Sequence, residues 1–340
     1  MTVLVTGGCG FIGTNFVNNW LCSVNEKLIN VDKLSYAAVH ETASILDPNY
    51  SFVKMDINQT KEIKCLLQEY KPRAVIHFAA ESHVDRSIYK PSAFIQTNVA
   101  GTFSLLEASK DYFFQLDDKQ KALFKFINVS TDEVYGSLYK NDPPFTEKSG
   151  INPSSPYSAS KASADLIAGS YYKTYGLPVI ISRCSNNFGE YQHQEKFIPT
   201  IIHSIDTGKQ IPIYGDGDQV RDWIYVADHV EALMTLLHKA MPGSTYNIGG
   251  NNELENIKLA RLICETMAER QMKKPSYYDD LIVSVPDRLG HDFRYAVNYQ
   301  KINNDWGWRP KHQFKDALSR TIEWYLAGKT TTKKLNDDVP

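Results

Sequence analysis

The chain opens on a short β-branched run, Thr2 to Thr6, whose apolar density predicts a buried strand. A glycine turn follows at once, and after it a helical spacing of apolar positions at Phe11, Ile12, Phe16, Val17, Trp20 and Leu21. Leu28 to Asp32 reads as a second strand, Ser51 to Met55 as a third and Ala74 to Phe78 as a fourth. Helical patterns separate them, one from Glu62 to Tyr70, closed by Lys71-Pro72. Another runs from about Pro91 to Lys110 with Thr97, Asn98, Gly101 and Thr102 among its apolar positions. Phe124 to Val129 and Val179 to Ser182 predict two further strands. Strands alternating with helices imply an α/β fold, a doubly wound parallel sheet. Ligands of such a sheet gather at the carboxyl ends of its strands, so Asp32, Asp56, Ala79 and Thr131 are expected to meet in one crevice.

The turn after the first strand is Gly7-Gly8-Cys9-Gly10-Phe11-Ile12-Gly13. Strand, glycine turn and helix form the context a dinucleotide fingerprint requires, and they make the sheet Rossmann-type. Its glycines serve a tight turn, close approach of backbone to pyrophosphate, and tight helix packing. The helix N-terminus adds free N–H groups for phosphate. Asp32, at the end of the second strand, is placed to accept from both adenosine ribose hydroxyls and to repel a 2′-phosphate. NAD is therefore expected over NADP, although the adjacent Lys33 weakens that preference. Asp56 and Ile57 are candidates to flank the adenine. Ala79 and Ala80 are small enough for a flat cofactor to lie against the backbone. Thr97, inside a helix, reads either as a packing hydroxyl or as a cofactor contact.

A length of 340 residues suits about two domains, and 37 basic against 39 acidic residues leave no basic block for nucleic acid or a membrane surface. The five scattered cysteines and nine histidines lack ligand spacing, so neither a metal site nor a disulfide framework is expected. A reducing cytoplasm fits that cysteine usage. No signal segment is expected ahead of the first strand, and no apolar run approaches a membrane span.

Two further stretches carry chemistry. Ser130-Thr131-Asp132-Glu133-Val134-Tyr135-Gly136 puts two adjacent carboxyl groups at a strand end, where burial is costly unless solvent or chemistry lies beyond. Tyr157 and Lys161 are spaced to share one helical face behind Pro156. A lysine ammonium and a cationic nicotinamide are expected to lower the tyrosine's pKa from near 10, giving a phenolate that takes an alcohol proton while hydride leaves the carbon. Two carboxyl groups in different protonation states suit a base and an acid acting together.

With the Tyr-x-x-x-Lys pair behind a Rossmann half, the chain resembles the extended short-chain dehydrogenase/reductases. The blocks Ala79-Ala80-Glu81-Ser82-His83-Val84-Asp85-Arg86 and Ser130 to Gly136 narrow the resemblance to the dTDP-glucose 4,6-dehydratase family, as do Gln219 to His229 and Asp287 to Ala296. The resemblance extends to about Trp324-Tyr325. It implies that Tyr157 is the base for C4 oxidation and that Lys161 positions the nicotinamide ribose. Thr131 would orient the C4 hydroxyl, Glu133 remove the C5 proton and Asp132 protonate the departing C6 hydroxyl. NAD would stay tightly bound and be regenerated in each turnover.

The resemblance further implies a nucleotide-sugar substrate held by Ser82, Asn186, Lys196, Arg221, Asn256, Arg288 and His291, with Pro212 and Tyr214 lining the base site. Asn187 would meet the cofactor. Taken singly, Arg221 and Arg288 read as surface ion-pair residues. Residues 1–185 would be the NAD-binding domain, with returns near 222–250, and 186–328 a smaller C-terminal sugar-nucleotide domain. Residues 329–340 would be a flexible tail. Cys9, Phe188, Glu190, Gln194 and Leu289 depart from the family's usual residues. Cys9, in the glycine turn, is expected to be harmless; the other four are expected to bear on the nucleotide half, which leaves UDP-glucose as a second candidate donor. A homodimer through helices near 91–115 and 156–175 is also implied. The alternatives are a nucleotide-sugar epimerase or decarboxylase and a catalytically silent NAD-binding scaffold. Asp132-Glu133 argues against a plain epimerase.

Overall fold

The computed structural model describes residues 1–328, and the expected tail at 329–340 lies outside them. Thirteen strands occur among the described residues. The first six are β1 (Thr2–Thr6), β2 (Lys27–Asp32), β3 (Tyr50–Lys54), β4 (Ala74–His77), β5 (Lys125–Thr131) and β6 (Val179–Cys184). Then come β7 (Asn186–Phe188), β8 (Ile211–Tyr214), β9 (Val220–Tyr225), β10 (Thr245–Ile248), β11 (Glu253–Glu255), β12 (Ile282–Val285) and β13 (Arg294–Tyr295). Seven of them form one parallel sheet in the order β10-β6-β5-β4-β1-β2-β3. The order reverses direction at β1, between β2 and β4, which places the glycine turn at the topological switch point.

Both faces of this sheet are covered, so its strands are apolar on both sides. Along β1, Val3 and Val5 enter one core layer with Phe16, Trp20 and Leu233, and Leu4 enters the other with Leu67, Leu106 and Phe126. The smaller region has its own core, built on Ile198, Ile202, Trp223, Leu259 and Ile322. There β7, β11 and β13 all pair with β9, and β8 pairs with β12. Asp222–Tyr225, expected to return towards the large domain, pairs within the small sheet while its Ile224 joins the large core. The helix Val226–Lys239 follows, with Val230, Leu233 and Leu237 in the same core, and then β10 in the large sheet.

One helix differs from expectation in kind. The pattern from Pro91 to Lys110 is Pro91–Phe94, a wide π-turn at Ile95–Gly101, and then Thr102–Gln115. The inserted residue aims Asn98 across the fold: it accepts from Glu81 N (2.8 Å) and donates to Glu81 O (2.9 Å) and Ser160 Oγ (2.8 Å). Gly101 lets Ile57 pack closely there, since a Cβ would stand 2.6 Å from Ile57 Cδ1.

The end of β5 is tied to its neighbours by a buried polar network. Arg183 Nε donates to Asp165 (2.8 Å) and Nη1 to the Tyr135 hydroxyl (2.9 Å). Asn128 donates to the other Asp165 oxygen (2.9 Å), and Tyr135 donates to Asn247 on β10 (2.8 Å). Removing one partner of such a pair strands a buried charge. Asp165→Ala is therefore expected to cost about 3–5 kcal/mol of folding stability in urea titrations. A loss under about 1 kcal/mol, the range of exposed pairs, would show that the network does not hold this edge.

Candidate active site

The carboxyl ends of β1 to β6 open on one crevice. It is lined by Gly7, Gly10, Phe11, Ile12 and Gly13 at one side and by Thr131, Asp132, Glu133, Tyr157 and Lys161 at the other. Asp32, Lys33, Asp56, Ile57, Ala79, Ala80, Ser82, Thr97, Asn186, Asn187 and Lys196 line it between. Gly7 has φ +72°, and a Cβ there would fall 2.4 Å from Ala79 N. A Cβ on Gly13 would fall 2.3 Å from Gly7 O. The backbone is thus bare where a pyrophosphate would approach, and among the described residues no side chain caps the helix Phe11–Ser23. Asp32 is oriented by Cys9 N (2.9 Å) and Leu34 N (2.8 Å). Lys33 reaches Thr97 Oγ1 (3.2 Å) and lies near Asp56 (3.8 Å) and Glu81 (3.6 Å). Its charge is met by acids, which restores the preference for an unphosphorylated ribose. These residues fit NAD.

The helix Pro156–Tyr175 starts as its sequence predicts, with Pro156 in the first turn and a Ser155–Ser158 capping box. Tyr157 and Lys161 are both buried on its crevice face. The expected lowering of the phenol's pKa rests on a cationic nicotinamide as well as on Lys161, and the protein's own groups press the other way. Burial first, then the charges of Glu133, Cys184 and Asp132, hold Tyr157 well above its usual range, against a smaller opposing pull from the Thr131 hydroxyl. Lys161 instead donates to the Val129 carbonyl (2.8 Å), and burial lowers its own pKa.

Thr131 ends β5 and accepts from Glu133 N (3.3 Å), capping one tight turn, Asp132–Tyr135. Gly136 closes that turn at φ +88°, where a Cβ would meet Asn152 O at 2.3 Å. Asp132 Oδ2 and Glu133 Oε2 are buried and meet no hydrogen-bond partner among the described residues. Their surroundings differ. Burial raises Asp132 far above the ordinary carboxyl range, and the charges of Glu133 and Asp222 push the same way. Burial also raises Glu133, but Arg288, Arg221 and Lys196 pull it back. Both acids are pushed towards their neutral forms, Asp132 the more strongly, because three cations oppose the rise at Glu133.

The remaining predicted residues divide. Lys196 Nζ donates to the Ser82 carbonyl (2.7 Å) across the crevice. Pro212, Tyr214, Arg221, Asn256, Arg288 and His291 do not line the crevice and form a neighbouring group. Arg221 is buried rather than a surface ion-pair residue. It donates to the Val220 and Asp292 carbonyls (2.8 and 2.9 Å) and lies over the Tyr295 ring (4.4 Å). Asp85 gathers Tyr214 OH (3.0 Å) and Arg288 Nη1 (3.5 Å). Pro212 and Tyr214 share the exposed face of β8. His291 meets Asp287, which accepts from Gln219, and Gln219 O receives the Asn256 N–H.

Sequence reasoning missed Asp85 as a partner, although it stands inside a quoted block. It also missed Glu195, whose carboxylate meets Tyr36 OH (2.8 Å) and Arg86 (3.4 Å). Glu190 and Phe188 are engaged with the core of the smaller region. Glu190 accepts from Tyr225, and Phe188 packs on Trp223, Tyr225 and Phe314.

A family model described as GDP-mannose 4,6 dehydratase matches residues 4–321. The chain is 47% identical over 331 residues to dTDP-glucose 4,6-dehydratase of Haemophilus influenzae, covering 96% of this chain and 98% of that protein. It is 45% identical to the Escherichia coli enzyme of the same name, covering 99% and 97%. Among solved structures, dTDP-glucose 4,6-dehydratase of Streptomyces venezuelae with NAD bound superposes with a TM-score of 0.87 at 39% identity, covering 97% and 98%. UDP-glucose 4-epimerase of Thermotoga maritima superposes with 0.85 at 28% identity, covering 97% and 100%. No helix among the described residues is long and apolar enough to cross a membrane.

Asp222, buried beside Asp132, accepts from Gly250 N (3.0 Å) and Asn252 N (2.7 Å), yet burial raises its pKa to about 6. The folded chain then binds a proton there that the unfolded chain, titrating near 4, releases. Its stabilising contribution is present below about pH 4 and is lost as pH rises through about 6. Melting curves from pH 4 to 7 are expected to show this decline superposed on the other groups, and Asp222→Asn to remove it. An unchanged pH slope in the variant would contradict the assignment.

Proposed function

The chain belongs to the dTDP-glucose 4,6-dehydratase family, and on that premise we propose that it removes water from dTDP-glucose to give the 4-keto-6-deoxy sugar nucleotide. The observation that carries this reading is the pair of partnerless carboxyl oxygens, on acids that their surroundings raise to different extents, in the crevice that holds Tyr157 and Lys161. Bound NAD supplies the acceptor for hydride from C4 and the source of hydride returned to C6. Tyr157 takes the C4 hydroxyl proton, and Thr131 orients that hydroxyl. Lys161 holds the nicotinamide ribose. Glu133, pulled towards its anion by three cations, removes the C5 proton. Asp132, biased towards its neutral form, donates to the departing C6 hydroxyl. Ser82, Asn186 and Lys196 hold the sugar nucleotide beside the crevice. Arg221, Asn256, Arg288 and His291 bind its diphosphate and nucleoside, with Pro212 and Tyr214 against the base.

Residues 1–185, with the return at 226–250, form the cofactor half of this reading, and the intervening and following segments to 328 the sugar-nucleotide half. We place the enzyme in the cytoplasm. A homodimer is supported by apolar side chains left exposed on two neighbouring helices, Ile95, Phe103 and Leu166 among them.

A donor panel tests the reaction. Conversion of dTDP-glucose to a product with the alkaline absorbance of a 4-keto-6-deoxy sugar is expected, and its absence with both dTDP- and UDP-glucose would refute the proposal. Glu133→Gln is expected to lower dehydration by about 100-fold or more while C4 oxidation persists. Dehydration at the parent rate would remove Glu133 from the role of C5 base. Sedimentation is expected to give twice 38.6 kDa for the parent chain and a lower mass for Leu166→Lys.

A further inference from the structure

His229 is fully buried on the helix Val226–Lys239, behind the wall of the crevice. Its Nδ1 stands 2.8 Å from Asn187 Oδ1. The orientation of that amide is fixed by its other end. Asn187 Nδ2 donates to Ser185 O (2.9 Å) and to Cys184 Sγ (3.3 Å), so a flipped amide would set oxygen against oxygen. Oδ1 must therefore face the imidazole, and only a ring with its proton on Nδ1 can supply that bond. Nε2 is then a bare acceptor, and it meets no partner among the described residues. A buried nitrogen without a partner is unfavourable for folding, and an aliphatic side chain in its place would avoid that. The imidazole's one evident use is the bond to Asn187.

That bond reaches the chemistry through the crevice wall. Cys184, Ser185, Asn186, Asn187 and Gln192 all line the crevice. The Asn187 amide ties two of them together, and its backbone carbonyl accepts from Gln192 Nε2 (2.9 Å). Cys184 sits at the same end as Tyr157 and Lys161: its Sγ donates to Ser130 O (3.4 Å), one residue along β5 from the Val129 carbonyl that accepts from Lys161 (2.8 Å). From this geometry we infer that His229 is a positioning residue: as the neutral Nδ1–H tautomer it locks the Asn187 amide and so shapes the wall against which the nicotinamide end of the cofactor rests. The inference rests on the proposed dehydratase reading for its kinetic readout and not for its cofactor readout. Burial lowers the imidazole pKa to about 3, so the lock is not a pH switch in the working range.

Two variants separate positioning from packing. His229→Leu removes the donor together with the orphaned nitrogen, and His229→Asn restores an N–H near the place of Nδ1. For His229→Leu we expect a melting temperature close to the parent's and kcat lower by roughly tenfold to a hundredfold, the scale of a small misplacement. KM for dTDP-glucose should move by less than about threefold, since Asn186 is the one proposed sugar-nucleotide contact in the affected wall. NAD carried through size exclusion, measured after denaturation, should fall below that of the parent. His229→Asn should recover most of both losses. Parent-like kcat and NAD content in His229→Leu would overturn the inference. So would equal impairment of both variants in step with a lowered melting temperature. Should His229→Leu not fold, the imidazole 15N signals of the parent decide: a neutral Nδ1–H ring is expected from about pH 5 to 8, and an Nε2–H ring would overturn the inference. If the parent binds NAD and loses it in His229→Leu but makes no keto sugar, the dehydratase reading fails and the positioning role stands.

Discussion

Two adjacent carboxyl groups buried at the end of one strand are the constraint to which much of the site answers. Charged side chains are rarely left in a protein interior without a partner. Asp132 and Glu133 each keep one oxygen unbound among the described residues, and Asp222 and Asp292 add negative charge close by. The surrounding chain has to hold such a turn against its own repulsion. It does so from behind, through the Asp165–Arg183–Tyr135 network, which joins β5, β6, β10 and the helix bearing Tyr157. Gly136 allows the turn to close where a side chain would strike Asn152. Rigidity behind the acids and open capacity before them suit a site whose missing hydrogen bonds belong to a substrate.

The two halves of the chain meet around this turn through contacts that span more than 100 residues. Lys196 reaches Ser82, Tyr36 and Arg86 converge on Glu195, and Asp85 gathers Tyr214 and Arg288. The cations brought in by these contacts act on Glu133 more than on Asp132. Docking of the smaller region therefore does more than cover the crevice. It separates the charge preferences of two acids that are neighbours in sequence, which is the condition for one to give a proton and the other to take one.

How far this was legible in sequence depended on distance along the chain. β1, the glycine turn and Asp32 lie within one supersecondary unit, so local pattern and chemistry sufficed. Tyr157 and Lys161 followed from helical spacing, and their helix begins at the capping box where Pro156 implied it. The small sheet was not legible, because β7, β11 and β13 are two or three residues long and are defined only by pairing with β9. The π-turn at Ile95–Gly101 has the same composition as a plain helix, and only its contacts with Ile57, Glu81 and Ser160 account for it. Arg221 read as a surface residue because its partners are backbone carbonyls and an aromatic ring, which carry no charge signal in sequence.

The phenol of Tyr157 is pressed in two directions. Lysine four residues on and a cationic nicotinamide are expected to favour phenolate, while burial and nearby acids raise its pKa. Glu133 is the largest of those charges acting on Tyr157. Each anion opposes the other in one dry crevice, so the phenolate and the Glu133 carboxylate are poorly tolerated together. A reaction that needs them in turn is better served than one that needs both at once. When Tyr157 has accepted the alcohol proton it is neutral, and Glu133 no longer faces a phenolate. In the proposed reaction, loss of the phenolate charge makes the Glu133 carboxylate easier to keep ionised, though a weaker base, so the mutual repulsion favours the two proton transfers in sequence.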